Sequence, residues 1–202
     1  MLDGLKQILE QRAFYYLALA LFVGNGIFNG ISTWVESIVR PKGLSASEAG
    51  DLGALMLVGG IVGAVVMPAL SDRSRRRKPF LVLGFLLAIP GLLGIVYGVG
   101  YPFLAGSFFV LGLFTTGVAP VAYQYGAEIT YPAPEGTSNG LFALVGQIAV
   151  VFIFGMGWSN EVLGSFTPSL LALVGLMVVS AGLLALLGES PMMRGDRGRV
   201  SG

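Results

Sequence analysis

Of the chain's 202 residues, 54% are hydrophobic and only 11% charged, with a mean hydropathy of +0.80; an ordinary soluble domain carries about 25% charge. This composition describes an integral membrane protein. With no cysteine and no histidine, disulfides, thiolate sites and imidazole ligands or bases are excluded, no metal or other cofactor is expected, and the net charge of +1 gives no reason to expect a nucleic-acid partner.

An apolar helix needs about 20 residues to cross the hydrocarbon core of a bilayer, and six stretches of this sequence qualify, which makes it an all-α membrane protein. Residues 1–12 are polar and amphipathic and form a cytoplasmic interfacial segment, not a signal peptide, because the apolar run behind them is too long for one. The spans are expected at about 13–39, 48–70, 80–98, 102–124, 135–158 and 168–187, with residues 189–202 as a cytoplasmic tail. Ser45 and Glu48 have capping-box spacing before the second span. Pro90 predicts a kink in the third span, Pro102 marks the first turn of the fourth, and Thr167 with Pro168 opens the sixth.

The run Ser71-Asp-Arg-Ser-Arg-Arg-Arg-Lys78 carries five of the twelve Lys and Arg residues between two apolar spans. Short loops rich in Lys and Arg stay on the cytoplasmic side. The N-terminal segment adds two such residues and the tail three, against Arg40 and Lys42 on the opposite side. Both termini are therefore expected in the cytoplasm.

Depth along the spans singles out candidate ligands. Asn25 and Asn29 lie one turn apart near the middle of the first span beside Gly24, Gly26 and Gly30; Thr115 and Thr116 lie mid-way along the fourth and Gln147 mid-way along the fifth. The third and sixth spans carry almost nothing polar at that depth except Ser180, so they are expected to face lipid while the first, fourth and fifth surround a cavity. Gly59, Gly60 and Gly63 suit the second span to close packing. None of Glu36, Asp51, Glu128 and Glu161 falls at mid-depth. That pattern favours facilitated transport, or coupling carried elsewhere.

Three segments resemble the major facilitator superfamily, and specifically its C-terminal six-helix half. Residues 68–76 resemble the loop motif Gly-x-x-x-Asp-Arg-x-Gly-Arg-Arg, with Pro68 and Ser74 standing for its glycines and Asp72, Arg73, Arg75 and Arg76 matching its charges. Residues 126–140, followed by Gln147-Ile148, are similar to the feline leukaemia virus subgroup C receptor-related branch, which reads Glu-Ile-Thr-Tyr-Pro-x-x-Glu-Gly-Thr-Ser-x-Gly. Residues 28–39 and 50–63 follow that branch more loosely. The resemblance implies half of a twelve-helix carrier working by alternating access on a small organic solute such as choline or ethanolamine, with haem also proposed for the branch. It implies a pocket role for Gln147 and an inner-gate latch made by Asp72, Arg73, Arg76 and Glu128. An aromatic of the branch aligns with Asn29 here. The implied partners are the lipid bilayer, a small-molecule solute, and either an N-terminal six-helix half or a second copy.

A second class of function is a non-transporting membrane protein that binds a partner or lipid, or an inactive transporter fragment. An intramembrane enzyme is not expected, since no serine has a base beside it and no acids pair at mid-depth.

Overall fold

The computed structural model describes residues 2–190, and all of the regular structure among them is helical. A short helix α1 (Leu2–Leu9) precedes α2 (Arg12–Val39), α3 (Ala46–Ser74), α4 (Lys78–Tyr97), α5 (Tyr101–Thr130), α6 (Glu135–Ile148), α7 (Val151–Leu163) and α8 (Thr167–Ala185). Taking α6 and α7 as one interrupted span, six helices are long and apolar enough to cross a membrane. The three cations expected in the tail lie outside the described residues.

The spans alternate in direction, so the start of α2, the α3–α4 turn, the α5–α6 turn and the end of α8 share one end of the bundle, the basic end. At the opposite end, the capping box at α3 forms: Glu48 N–H donates to Ser45 Oγ (3.3 Å) and Ser45 N–H to Glu48 Oε2 (2.8 Å). Lys42 Nζ there donates to the carbonyls of Val96 and Gly98, at 2.9 and 3.0 Å, closing the end of α4.

Three elements differ from the sequence expectation. The fourth span runs to Thr130, well past Gln124, because Tyr125, Gly126 and Glu128 face the protein interior and keep the last turns paired. The sixth begins on Phe166 as cap with Pro168 already inside the first turn, Ser165 Oγ accepting from Thr167 N–H at 3.1 Å. The fifth span breaks at Ala149–Val150, where the N–H groups of Val150, Phe152 and Ile153 each bond to a carbonyl three residues back. This tightened turn contains no proline. A side chain from another helix stabilises it, since Trp34 Nε1 donates to the Ile153 carbonyl at 2.9 Å.

Helices α2 and α5 pack together at the centre. Behind them α4 and α8 pack on each other and on α5 and α2; α3 flanks α5, and α6 with α7 flanks α2. The α3–α5 contact is the most intimate. A Cβ on Gly112 would lie 1.9 Å from the Met56 carbonyl oxygen, and one on Gly63 would lie 1.9 Å from that of Leu113. Backbone meets backbone there, which only glycine permits, and in lipid such close dispersion contact is the main force between helices. Gly112→Val is therefore expected to destabilise the fold by at least ~2 kcal/mol, whereas Gly175→Ala, into open space on α8, is neutral. Thermal unfolding in detergent, followed by size-exclusion chromatography, checks both.

Candidate functional site

Two polar sites stand out, one at mid-depth and one at the basic end. The first is a cavity of about 250 Å³ between α2 and α5. Asn25, Asn29, Thr115 and Thr116 all line it, together with Phe28 and Phe85 and small residues of both helices. Asn25 Nδ2 donates to the Leu21 carbonyl (2.9 Å) and Thr115 Oγ1 to the Leu111 carbonyl (2.6 Å). These bonds orient the two side chains and leave acceptor lone pairs available to a solute.

The cavity differs from the expected one in its walls. Phe85 brings in α4, the third span, while no residue of the fifth span lines it. Gln147 lies on an exposed face of α6, one residue beyond Gly146, whose Cβ position is 3.3 Å from Asn25 Nδ2. The structure thus brings four of the five candidate ligands together and leaves Gln147 beside them. The glycines next to the asparagines serve helix packing: a Cβ on Gly26 would lie 2.4 Å from the Phe152 ring and one on Gly30 would lie 2.6 Å from Met156 Sδ. Phe28 and Phe85 supply two aromatic walls although Asn29 occupies the position of the branch's aromatic. Phe28 was adjacent in sequence; nothing in the sequence placed Phe85 there.

The second site is built on the turn between α3 and α4. Helix α3 ends with Arg75 in the left-handed region (φ 49°), with Arg75 N–H bonded to Asp72 O and Arg76 N–H to Ser71 O. This Schellman-type reversal carries the chain back under α3. The residue it delivers to the interior is Arg77, only 4% exposed. Its guanidinium pairs with Asp72 and donates to Glu128 Oε1 from Nη2 (3.0 Å) and Nε (3.2 Å), and to Ser71 Oγ from Nη1 (3.2 Å). Gln124 Nε2 donates to the same Glu128 oxygen at 3.2 Å, while the buried Glu128 Oε2 has no partner among the described residues. Burial opposes the Arg77 charge, but Glu128 and Asp72 outweigh it and raise its pKa above the ordinary arginine value.

Two of the four residues named for the gate enter this cluster, Asp72 and Glu128; Arg73 and Arg76 are exposed and stand outside it. The correction is one of register. Counting from Asp72, and placing the left-handed residue where a glycine is most at ease, the motif's second glycine corresponds to Arg75 and its last arginine to Arg77. The sequence showed five adjacent cations with nothing to rank them; only the reversal at Arg75 decides which one turns inward. A second contributor went unnoticed in the tail. Glu189 Oε1 accepts from the N–H groups of Arg77 (2.8 Å) and Lys78 (3.3 Å), capping α4, while Tyr125 Oη donates to the Gly188 carbonyl (2.9 Å). Residues 189 and 190 are thus docked on the bundle, not free tail.

A family model described as the Major Facilitator Superfamily matches residues 2–154, most of the chain. The chain belongs to the Major Facilitator Superfamily. An uncharacterized protein of Archaeoglobus fulgidus is 35% identical over 185 residues, covering 89% of this chain and 81% of that one. Solute carrier family 49 member A3 of Xenopus tropicalis is 34% identical, covering 72% of this chain and 31% of its own length. The choline/ethanolamine transporter FLVCR1 of Mus musculus is 29% identical, covering 69% and 26%. These relatives bear out the resemblance to the feline leukaemia virus receptor-related branch, and the chain spans about a third or less of the carriers in it. Among solved structures, the xylose transporter XylE of E. coli in its inward-open conformation matches with a TM-score of 0.64 at 17% identity, over 90% of this chain and 48% of that one. At that identity the likeness is one of fold: the protein is a six-helix half of the superfamily architecture, from a family of transporters and not of enzymes.

Breaking the cluster separates pairing from packing. Arg77→Met leaves Glu128 buried without its cation and is expected to cost about 3–5 kcal/mol; Arg77→Met with Glu128→Gln recovers most of that loss. Denaturation of the single and double variants in detergent measures the difference.

Proposed function

We propose that this chain is one half of a twelve-helix carrier that moves a small organic solute across the membrane by alternating access, two six-helix bodies rocking about a site near the bilayer midplane. The observation that carries the reading is the mid-depth cavity, in which amides and hydroxyls from α2 and α5 converge between two phenylalanines. Phenyl faces attract an organic cation, and amide oxygens accept from an ammonium or hydroxyl donor. A choline- or ethanolamine-like solute meets both requirements. The cavity lining holds no carboxylate, and among the described residues no acidic side chain falls at mid-depth, which supports uniport or coupling supplied by the other half.

Gln147, exposed beside the cavity, completes the site when the second six-helix body closes over it. The Asp72–Arg77–Glu128 cluster ties α3, α4 and α5 together at the basic end, consistent with a latch on the inner gate. By the distribution of Lys and Arg, that end faces the cytoplasm, with both termini on the same side of the plasma membrane.

Uptake by reconstituted vesicles tests the reading. Labelled choline or ethanolamine is expected to enter, xylose is not, and Asn29→Leu is expected to reduce entry at least tenfold without changing thermal stability. Vesicles that take up neither amine, or an Asn29→Leu variant as active as the parent, count against it. For orientation, a cysteine at Ser74 in this otherwise cysteine-free chain is expected to react with an impermeant maleimide only after whole cells are permeabilised.

A further inference from the structure

The mid-depth cavity is open on one side. Thr116 and Ala119 line both the cavity and a groove of about 440 Å³ whose other walls include Ala64 of α3 and Glu135 and Asn139 of α6. Helices α3 and α6–α7 therefore stand on the two banks of one groove, and each presents an exposed face. On α3 this face carries Leu57, Val58, Ile61, Val62, Val65 and Val66; on α6–α7 it carries Leu144, Ile148, Val151, Phe154 and Trp158.

Lipid covers the back of the bundle without difficulty. The exposed mid-span residues of α4 and α8 are all apolar, leucines, valines, glycine, alanine and Pro90, such as Leu86, Leu87, Leu176 and Val179. On the α6–α7 face the same depth holds Gln147, exposed and with its side-chain amide unpartnered among the described residues. An amide in hydrocarbon has no water to bond, so a protein surface or a water-filled cavity must cover this face. Gly136 and Gly140 lie exposed along it with open space at their Cβ positions, which lets a second backbone come close.

Two observations indicate what the cover is. The archaeal relative is matched over 81% of its own length by 185 aligned residues, so that relative is itself a chain of half-carrier size. The two banks run in opposite directions along the groove, α3 toward the basic end and α6–α7 away from it, so a two-fold axis along the membrane normal lays α3 of one copy against α6–α7 of another.

We propose that the groove is closed by a second copy of this chain in the same orientation. The interface is isologous: each α3 packs on the partner's α6–α7. Two sets of Asn25, Asn29, Thr116 and Gln147 then face one shared central cavity. The transport role of this dimer rests on the half-carrier reading above; its existence does not.

Val58 and Val151 each lie 16 residues from the basic end of their spans, Ser74 and Glu135, and so stand at matching depth in the dimer. One tagged form with Val58→Cys and another with Val151→Cys, co-expressed and oxidised in native membranes, are expected to cross-link at least fivefold above a control pair on the lipid face, Leu87→Cys with Val179→Cys. Single-molecule photobleaching of the unmutated labelled chain in vesicles is expected to show two steps, and this readout does not depend on the cysteine variants folding.

Single-step bleaching, or a Val58–Val151 yield no higher than the control, overturns the dimer. So does uptake that appears only when a different six-span chain is supplied, although the half-carrier reading then survives. A cross-linked, two-step dimer that moves no solute has the reverse meaning: the second copy stands and the carrier reading falls.

Discussion

A polar atom inside hydrocarbon has no water to bond, and the organisation of this protein follows from that constraint. It makes every span helical, because only a helix satisfies its own backbone. It also explains the cross-helix repairs where a helix departs from regularity. Trp34 Nε1 reaches the Ile153 carbonyl at the break in the fifth span, and Asn25 and Thr115 bond to carbonyls one turn back within their own helices. At the basic end the same requirement gathers Arg77, Glu128, Gln124 and Ser71 into one connected cluster. Among the described residues the requirement is left unmet at the exposed Gln147 side chain and at a few buried atoms, Glu128 Oε2 and Ser180 Oγ among them.

Close backbone approach gives the bundle its rigid parts. Helices α3 and α5 meet through glycines with no room for a methyl group, and Gly91 of α4 lies against the backbone of α5 at Ser107 and Leu111. These helices, tied at the basic end by the arginine cluster, form one stiff unit. Helices α6 and α7 are held differently, α7 by the Phe22–Phe152 edge contact and the Trp34 bond, α6 by Phe142 against Phe14 and Tyr123. The cavity lies where the α3–α5 unit meets α2.

The charged cluster holds one deeply buried pair and one exposed partner. Arg77 and Glu128 are 4% and 5% exposed at the side chain, whereas Asp72 is 63% exposed. The first pair is shielded from solvent and salt; the Asp72 contact is screened and contributes little. Glu189 adds a carboxylate at the first turn of α4, so the segment after α8 takes part in holding the α3–α4 turn in place.

Much of this architecture could be read from the residues alone. Membrane insertion and the presence of six spans follow from composition and apolar run length, because the bilayer sets a length that the chain must meet. The capping box at Ser45 is local chemistry between neighbours, and so equally legible. What depends on which way a side chain turns was not. The inward-facing cation of the basic run was decided by a left-handed residue at Arg75, and the aromatic on the third span was decided by the rotation of α4 against α2. Gln147 stood at the right depth but on a face whose outlook only packing sets. Depth is counted along one dimension of the chain, and the sequence therefore determined it; rotation about each helix axis is fixed by contacts between distant segments, and that only the tertiary structure decided.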